Sequence, residues 1–330
     1  MVLLSARSLN QFRLEKYVIT PLPKNIINNG SIENHDDFVV QMQQIWKKFR
    51  PNCKNISVAM PPNSTTLQFL TLDHESENTL DERIILELNQ SDANENNLSY
   101  DYQVLNETKQ GTEFLLVSSK REDVDRTMDA FTDAGITPTQ MDVDLLAVIN
   151  SYIVWLNETQ TDISNQTTAI FDIGVYETRA IFMRDNHLVY KQEINIGYEQ
   201  MVQIIRRDYQ LTEEEAWDMF YNANKPSDYT ATVAQPFQQQ FIQEIQRTLQ
   251  FYYTTSIMEI DSNIDQILIF GYASNDAKGF DKKIQEQTKI VTQQLNPVLM
   301  AESNSKIDQM QLMQDSNLLT VAFGLAVRGL

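Results

Sequence analysis

An aspartate followed by a glycine at the end of an apolar run is the pattern with the clearest chemical potential in this chain. Residues 169–171 lead into Asp172 and Gly174, and Thr178 opens the next apolar run. A carboxylate and free backbone N–H groups at a tight turn suit a hydrated metal ion and phosphate groups. Aspartate and glycine also favour ordinary turns. The pattern alone therefore leaves a phosphate loop and a structural turn open.

No other group of residues has the spacing of a catalytic or metal-binding motif. The three histidines, His35, His74 and His187, are scattered, without carboxylates or cysteines at metal-ligand spacing. The sequence contains no Gly-x-Ser-x-Gly elbow, Walker loop or complete Gly-x-Gly-x-x-Gly motif. Cys53 is the single cysteine, so no intramolecular disulfide forms and a reducing compartment is expected.

The charge balance excludes two classes of partner. The 330 residues include 45 acidic and 26 basic side chains, a formal net charge of -19. Such an excess of acid repels nucleic-acid phosphates and anionic lipid headgroups. No stretch approaches the ~20 apolar residues of a membrane-spanning helix, and the amino terminus lacks the pattern of a signal peptide. We therefore expect a cytoplasmic protein with no nucleic-acid partner and no direct membrane insertion.

The hydrophobic pattern predicts strands and helices in an α/β order. Two β-prone runs at 2–5 and 12–19 predict a hairpin, followed by a helix at 36–49 and a strand at 56–60. A second block runs strand, helix, strand, strand, helix over 66–134. The second half predicts strands at 168–171, 179–183, 189–196 and 266–270, helices at 199–209, 212–222, after Pro236 and at 318–327, and a capping box between Thr212 and Glu215.

Nine stretches spread over nearly the whole chain occur in the same order in one protein family. They are residues 13–23, 98–105, 114–122 and 134–144 in the first half, and 172–174, 194–198, 211–216, 244–252 and 318–328 in the second. Together they resemble the PilM family of type IV pilus assembly proteins. Because the match covers nearly the whole chain, it is more specific than any single motif.

The resemblance implies a fold and a division of the chain. The fold is α/β and actin-like (ribonuclease H-like), similar to the division protein FtsA, with two lobes and an inserted α+β subdomain in the first lobe. The first lobe would comprise residues 1–61 and 137–166, the inserted subdomain residues 62–136, and the second lobe residues 167–330.

The resemblance also implies a nucleotide site, because ATP with Mg²⁺ accompanies the fold in some members. The matching positions are Asp172, Gly174 and Thr178 on the second phosphate loop, with Asp172 also as metal ligand, Glu244 and Arg247 on the helix beside the nucleoside, and Gly271 of the adenosine loop. Glu244 and Arg247 also have the spacing of an ordinary solvated i, i+3 ion pair.

Two departures from the family predict that ATP binding is weak or absent in this chain. The family's first strand and first phosphate loop would precede Val2, and a longer native protein and a shortened natural start both fit the sequence. We expect the corresponding strand position in the first lobe to be vacant or filled by another segment. The adenosine loop retains only Gly271, and the bulky Tyr272 follows where a backbone should closely approach the ligand.

The function implied by the resemblance is that of an adaptor and not of an enzyme. The protein would bind the N-terminal cytoplasmic tail of the inner-membrane protein PilN at the inner face of that membrane. It would link the alignment complex of PilN, PilO and PilP to the motor ATPases in pilus biogenesis and twitching motility. The alternative is an actin-like ATP-binding protein or ATPase with nucleotide-dependent polymerisation.

We expect the tail to bind in a cleft between the first lobe and the inserted subdomain. An acidic surface favours a tail with Arg or Lys beside its apolar anchors. Leu88→Arg is expected to abolish tail binding and leave the fold intact. The residues expected around the cleft are Pro61, Ile84, Ile85, Leu88, Asp142, Asp144 and Leu145.

Overall fold

The strands and helices follow the α/β order of the hydrophobic pattern. The computed structural model describes residues 1–8, 11–23, 25–28, 31–60, 62–73, 79–91, 97–107, 111–161, 164–221, 224–255, 263–271 and 279–330. The strands are β1 Val2–Ser8, β2 Gln11–Tyr17, β3 Ile27–Asn28, β4 Ser31–Ile32, β5 Ser57–Met60, β6 Thr65–Leu72, β7 Leu98–Glu107, β8 Thr112–Lys120, β9 Gln140–Val143, β10 Thr167–Ile173, β11 Thr178–Arg184, β12 His187–Ile194, β13 Gln266–Phe270, β14 Val291–Gln294 and β15 Glu302–Ser303. The helices are α1 His35–Phe49, α2 Leu80–Ser91, α3 Arg121–Asp133, α4 Asp144–Thr159, α5 Tyr198–Tyr209, α6 Glu213–Tyr221, α7 Gln235–Thr255, α8 Phe280–Thr288, α9 Gln309–Asp315 and α10 Thr320–Arg328.

The chain forms two units. Unit 1 comprises residues 1–3, 16–148 and 324–330, and unit 2 comprises residues 4–15 and 149–323. The predicted division into two lobes and an insert stays a prediction. The described strands assigned by sequence to the first lobe lie in three separate sheets, β1–β2–β15, β3–β4 and β5–β9.

Unit 1 contains a three-stranded antiparallel sheet, β6–β8–β7, covered on one face by α2. Side chains alternate between the faces of a strand, so Leu72 on β6 and Phe114 and Leu116 on β8 point to the same side. Ile84 and Leu88, four residues apart on α2, pack against them. The other face of this sheet is therefore directed away from α2.

A second part of unit 1 pairs β5 with β9 in parallel, with Ala59 opposite Asp142. α1 packs against α3, where the rings of Phe38 and Phe131 meet edge to face with centroids 5.4 Å apart. Asp142 thus lies one residue before the end of β9, where the chain turns into α4.

Unit 2 is built on a five-stranded sheet with the order β12–β11–β10–β13–β14. β13 runs parallel to β10 and β14, whereas β11 is antiparallel to β10 and β12. β10 and β13 are almost completely buried, as central strands covered on both faces are expected to be. Helix α7 adds Phe241, Ile245 and Leu249, at four-residue spacing, to the same core. Since β10 and β13 are parallel, their carboxyl ends meet at one edge of the sheet.

Candidate functional site

The carboxyl ends of β10 and β13 bring Asp172 and Gly271 together. Asp172 pairs with Phe270 across the two strands, and Gly271 follows directly. Gly271 has φ +94°, and a Cβ added there would lie 2.7 Å from the carbonyl oxygen of Ile173 and 2.9 Å from Oδ1 of Asp172. The position therefore requires glycine for both its backbone conformation and the close approach.

The hairpin of β10 and β11 places Arg179 directly opposite Asp172. Directly opposite residues of antiparallel strands share a face of the sheet. Nη2 of Arg179 donates a hydrogen bond to Oδ2 of Asp172, and only 13% of the Asp172 side chain and 17% of the Arg179 side chain are exposed. The carboxylate predicted to face a metal ion is thus held in a largely buried, charge-assisted ion pair of its own sheet.

The turn between the two strands uses its polar groups internally. The N–H of Gly174 donates to the carbonyl oxygen of Glu177 over 3.0 Å. The Thr178 hydroxyl is buried and donates to the carbonyl oxygen of Ile196 over 2.7 Å. Two of the groups expected to contact phosphate are therefore already hydrogen-bonded within the protein.

The N-terminus of α5 is hydrogen-bonded to this turn. The N–H groups of Tyr198 and Glu199 donate to the carbonyl oxygens of Gly174 and Val175 over 3.1 and 2.8 Å. A Cβ at Gly197 would lie only 2.5 Å from the Val175 carbonyl oxygen, so the two segments approach as closely as backbones can. These contacts are those of a closed structural turn.

Glu244 and Arg247 lie on α7 and form an ion pair with each other through Nη1 of Arg247 and Oε1 of Glu244. Arg247 is largely exposed, which matches the solvated i, i+3 pair that the sequence left open.

A hydrated divalent metal ion, implied by the fold family, does not fit the donor set at Asp172. Mg²⁺ prefers an octahedral shell of oxygen ligands, and here a guanidinium contacts the carboxylate instead. Across the residues that the structure describes, no three His, Cys, Asp or Glu side chains are grouped as a metal site needs.

In unit 1, Asp142 stands out because one of its buried oxygens makes no hydrogen bond. Oδ1 accepts from the N–H of Val143 over 2.8 Å, but Oδ2 has no hydrogen-bond partner and Nε of Arg328 lies 3.6 Å away. The side chain is 8% exposed. Burial raises the pKa of Asp142 above its usual value and Asp101 adds to this, whereas the Val143 N–H and Arg328 act in the opposite direction. Oδ2 of Asp142 is therefore a buried carboxylate oxygen that has an ion-pair partner, Arg328, but no hydrogen-bond donor, which makes Asp142 a candidate functional residue.

The neighbouring predicted residues lie at the start of α4. Asp144 is partly exposed, and its Oδ1 accepts from the N–H of Leu145 over 2.8 Å. Leu145 itself is buried. The structure thus brings Asp142, Asp144 and Leu145 together at the junction of β9 and α4.

The predicted residues of α2 divide into two groups. Ile84 and Leu88 are buried in the core between α2 and its sheet, whereas Ile85 is exposed. Leu88→Arg would place a charge in that core and unfold it, so this substitution cannot report on tail binding alone. Pro61 lies outside the described residues.

One exposed aromatic residue was not predicted from the sequence. Phe69 on β6 is 48% exposed and pairs with Leu115, on the sheet face directed away from α2. Asp101, opposite Val117 on β8, shares that face and is close enough to Asp142 to raise its pKa. This face therefore combines the exposed ring of Phe69 with the carboxylate of Asp101, and Asp142 lies near Asp101.

The chain is similar to known proteins over its whole length or most of it. The model of the family described as type IV pilus assembly protein PilM matches residues 1–330. A chain of a PilM–PilN type IV pilus biogenesis complex has a TM-score of 0.80 at 17% identity, covering 99% of this chain and 94% of that chain. The ethanolamine utilization protein EutJ from Carboxydothermus hydrogenoformans has a TM-score of 0.52 at 9% identity, covering 92% and 77% of the two chains.

These likenesses confirm the predicted α/β, actin-like fold. MreB5 of Spiroplasma citri bound to ADP has a TM-score of 0.44 at 12% identity, covering 95% of this chain and 78% of that chain. In the described part of the chain, no helix has both the length and the apolar character needed to cross a membrane.

Proposed function

The chain belongs to the PilM family of type IV pilus assembly proteins, and we propose that it is the adaptor that binds the N-terminal cytoplasmic tail of PilN. It acts in the cytoplasm at the inner face of the bacterial inner membrane, where its partner holds it. Through PilN it connects PilO and PilP to the motor ATPases. The adaptor itself turns over no substrate.

The observation that carries this proposal is the buried Oδ2 atom of Asp142, which makes no hydrogen bond. A buried acceptor without a hydrogen-bond donor costs roughly 1–3 kcal/mol, which the ion pair with Arg328 at 3.6 Å offsets only in part. A basic side chain or N–H group of the tail would supply the missing hydrogen bond. Asp101 adds negative charge near Asp142, and the chain carries a net charge of -19, both of which favour a tail with Arg or Lys.

The apolar part of the tail has a matching surface on the sheet β6–β8–β7. Phe69 exposes about half of its surface next to the buried Leu115. β6 lies at an edge of this sheet and has one strand neighbour among the described residues. An extended peptide can use such an edge for backbone hydrogen bonds while its side chains bury apolar surface. Together these contacts suit micromolar binding, on the order of 8 kcal/mol.

The alternative, an actin-like ATPase with nucleotide-dependent polymerisation, needs Asp172 to be available to a metal–nucleotide complex. The ion pair with Arg179 does not support this requirement.

A double-mutant cycle tests the contact with Asp142. Calorimetry would measure tail-peptide binding to the wild type and to Asp142→Asn, each with the native tail and with its basic residues replaced by Gln. We expect each change to weaken binding and the two effects to be coupled by about 0.5–3 kcal/mol. Asp315→Asn is the control, because it also neutralises an aspartate but lies on α9 in unit 2, and it should leave the affinity unchanged. Additive effects would show that Asp142 does not contact the basic residues of the tail.

A further inference from the structure

The strand register of the β10–β11 hairpin places the cationic side chain of Arg179 against Asp172. Ile173 pairs with Thr178 around residues 174–177, so the next pair outward is Asp172 with Arg179. Arginine is always charged in proteins and its planar guanidinium matches a carboxylate. The negative charge of Asp172 is therefore neutralised within the sheet.

The Asp172 carboxylate is largely enclosed by the protein, with 13% of its side chain exposed. Oδ2 accepts from Nη2 of Arg179. On the other side, the backbone at Gly271 approaches so closely that a Cβ there would be 2.9 Å from Oδ1. A metal ion bound to Oδ2 would have to displace Arg179, and an ion at either oxygen would meet the positive charge of that guanidinium.

The other polar groups of the turn do not favour a metal–phosphate ligand either. The Gly174 N–H and the Thr178 hydroxyl, the other groups expected near a metal–phosphate ligand, donate to carbonyl oxygens of the protein. Val175 and Tyr176, at the tip of the turn, both expose large side chains.

We propose that Arg179 is the built-in cation of this turn, in the position where Asp172 would otherwise hold a hydrated divalent metal ion. Asp172 then has a structural role in the hairpin, and the chain uses no divalent metal ion there. This proposal concerns unit 2 and does not depend on the identity of the partner bound by unit 1.

Titration with Mn²⁺, followed by water-proton relaxation, tests the proposal without any nucleotide. The proteins are the full-length wild type, Asp172→Asn, Arg179→Gln and the double variant of these two. We expect Asp172→Asn to bind Mn²⁺ like the wild type, since Asp172 holds no metal. Arg179→Gln should gain an additional site at least about tenfold tighter than the background of this acidic protein, and the double variant should lose that site.

Arg184→Gln is the matched control, because Arg184 lies at the far end of the same strand, opposite Thr167. It should bind Mn²⁺ like the wild type. Loss of a wild-type Mn²⁺ site in Asp172→Asn would overturn the proposal, and so would a folded Arg179→Gln protein without the additional site.

A measurement on the unsubstituted protein keeps the test independent of the folding of any variant. If Asp172 held a metal ion, low Mn²⁺ concentrations would broaden the amide NMR signals of Gly174 and Gly271 before other signals. We expect these two signals to broaden no earlier than those of exposed acidic surfaces elsewhere. Selective early broadening of both would overturn the proposal.

Discussion

Truncating Phe69 should weaken tail binding without unfolding the protein. Phenylalanine offers about 200 Å² of surface, and 48% of Phe69 is exposed, so a docked tail can cover about 100 Å² of it. At about 25 cal/mol per Å² this corresponds to about 2.5 kcal/mol, or at most a ~60-fold loss of affinity. By the same arithmetic the buried half of Phe69 limits the stability cost of Phe69→Ala to about 2.5 kcal/mol, which is below the roughly 5–15 kcal/mol stability of a folded domain.

Calorimetric titration with a PilN tail peptide, together with urea unfolding of the same samples, measures both quantities. Val104→Ala is the matched control, since Val104 is 49% exposed on the same sheet but pairs with Phe114, whose side chain points towards α2. We expect this control to bind the tail like the wild type. A folded Phe69→Ala protein with wild-type affinity would refute the assignment of the docking face, as would equal losses in both variants.

Three further predictions concern stability. Burial raises the folded-state pKa of Asp142, so ionisation of Asp142 destabilises the fold as the pH rises. Asp142→Asn should therefore be more stable than the wild type near neutral pH. The free energies of unfolding of the two proteins should converge towards pH ~4, where the wild-type carboxyl is protonated. Urea unfolding across this range measures the difference, and a difference independent of pH would contradict the role of ionisation. Leu88→Ala should cost about 2–5 kcal/mol in the same assay because Leu88 is buried beneath α2, and a cost below 1 kcal/mol would show that this core is not tightly packed. Gly271→Ala should lower the melting temperature measured by circular dichroism, since φ is +94° and the new Cβ would clash with Ile173 and Asp172; an unchanged melting temperature would contradict this account of the turn.

Local patterns predicted the elements of the fold well. The capping box of α6 is present: the Thr212 N–H donates to Oε2 of Glu215 over 2.8 Å, and the Glu215 N–H to the Thr212 hydroxyl over 3.3 Å. The apolar run 266–270 is the buried strand β13, as predicted. Such features depend on residues close in sequence, where spacing alone carries the information. The short helix α9, which has a single buried residue, Leu312, was not predicted because its apolar periodicity is weak.

The candidate sites depended on register, which the sequence did not reveal. The predicted strand ended at Phe171 and left Asp172 in a loop, whereas β10 continues to Ile173 and pairs Asp172 with Arg179. Extending the strand to Ile173 and assigning residues 174–177 to a four-residue hairpin loop would have placed Asp172 opposite Arg179. On α2, periodicity placed Ile84 and Leu88 on one face but could not show that their own sheet covers it. On β6, apolar side chains on both faces concealed the exposed position of Phe69.

Binding of the cytoplasmic tail of PilN is the property on which the adaptor function depends. Calorimetry with the native tail peptide and a scrambled peptide of the same composition, each with and without Mg²⁺ and ATP, tests it most directly. We expect saturable one-to-one binding of the native tail alone, with an affinity that Mg²⁺ and ATP do not change. Equal binding of both peptides, or no binding of the native tail to the folded protein, would contradict it.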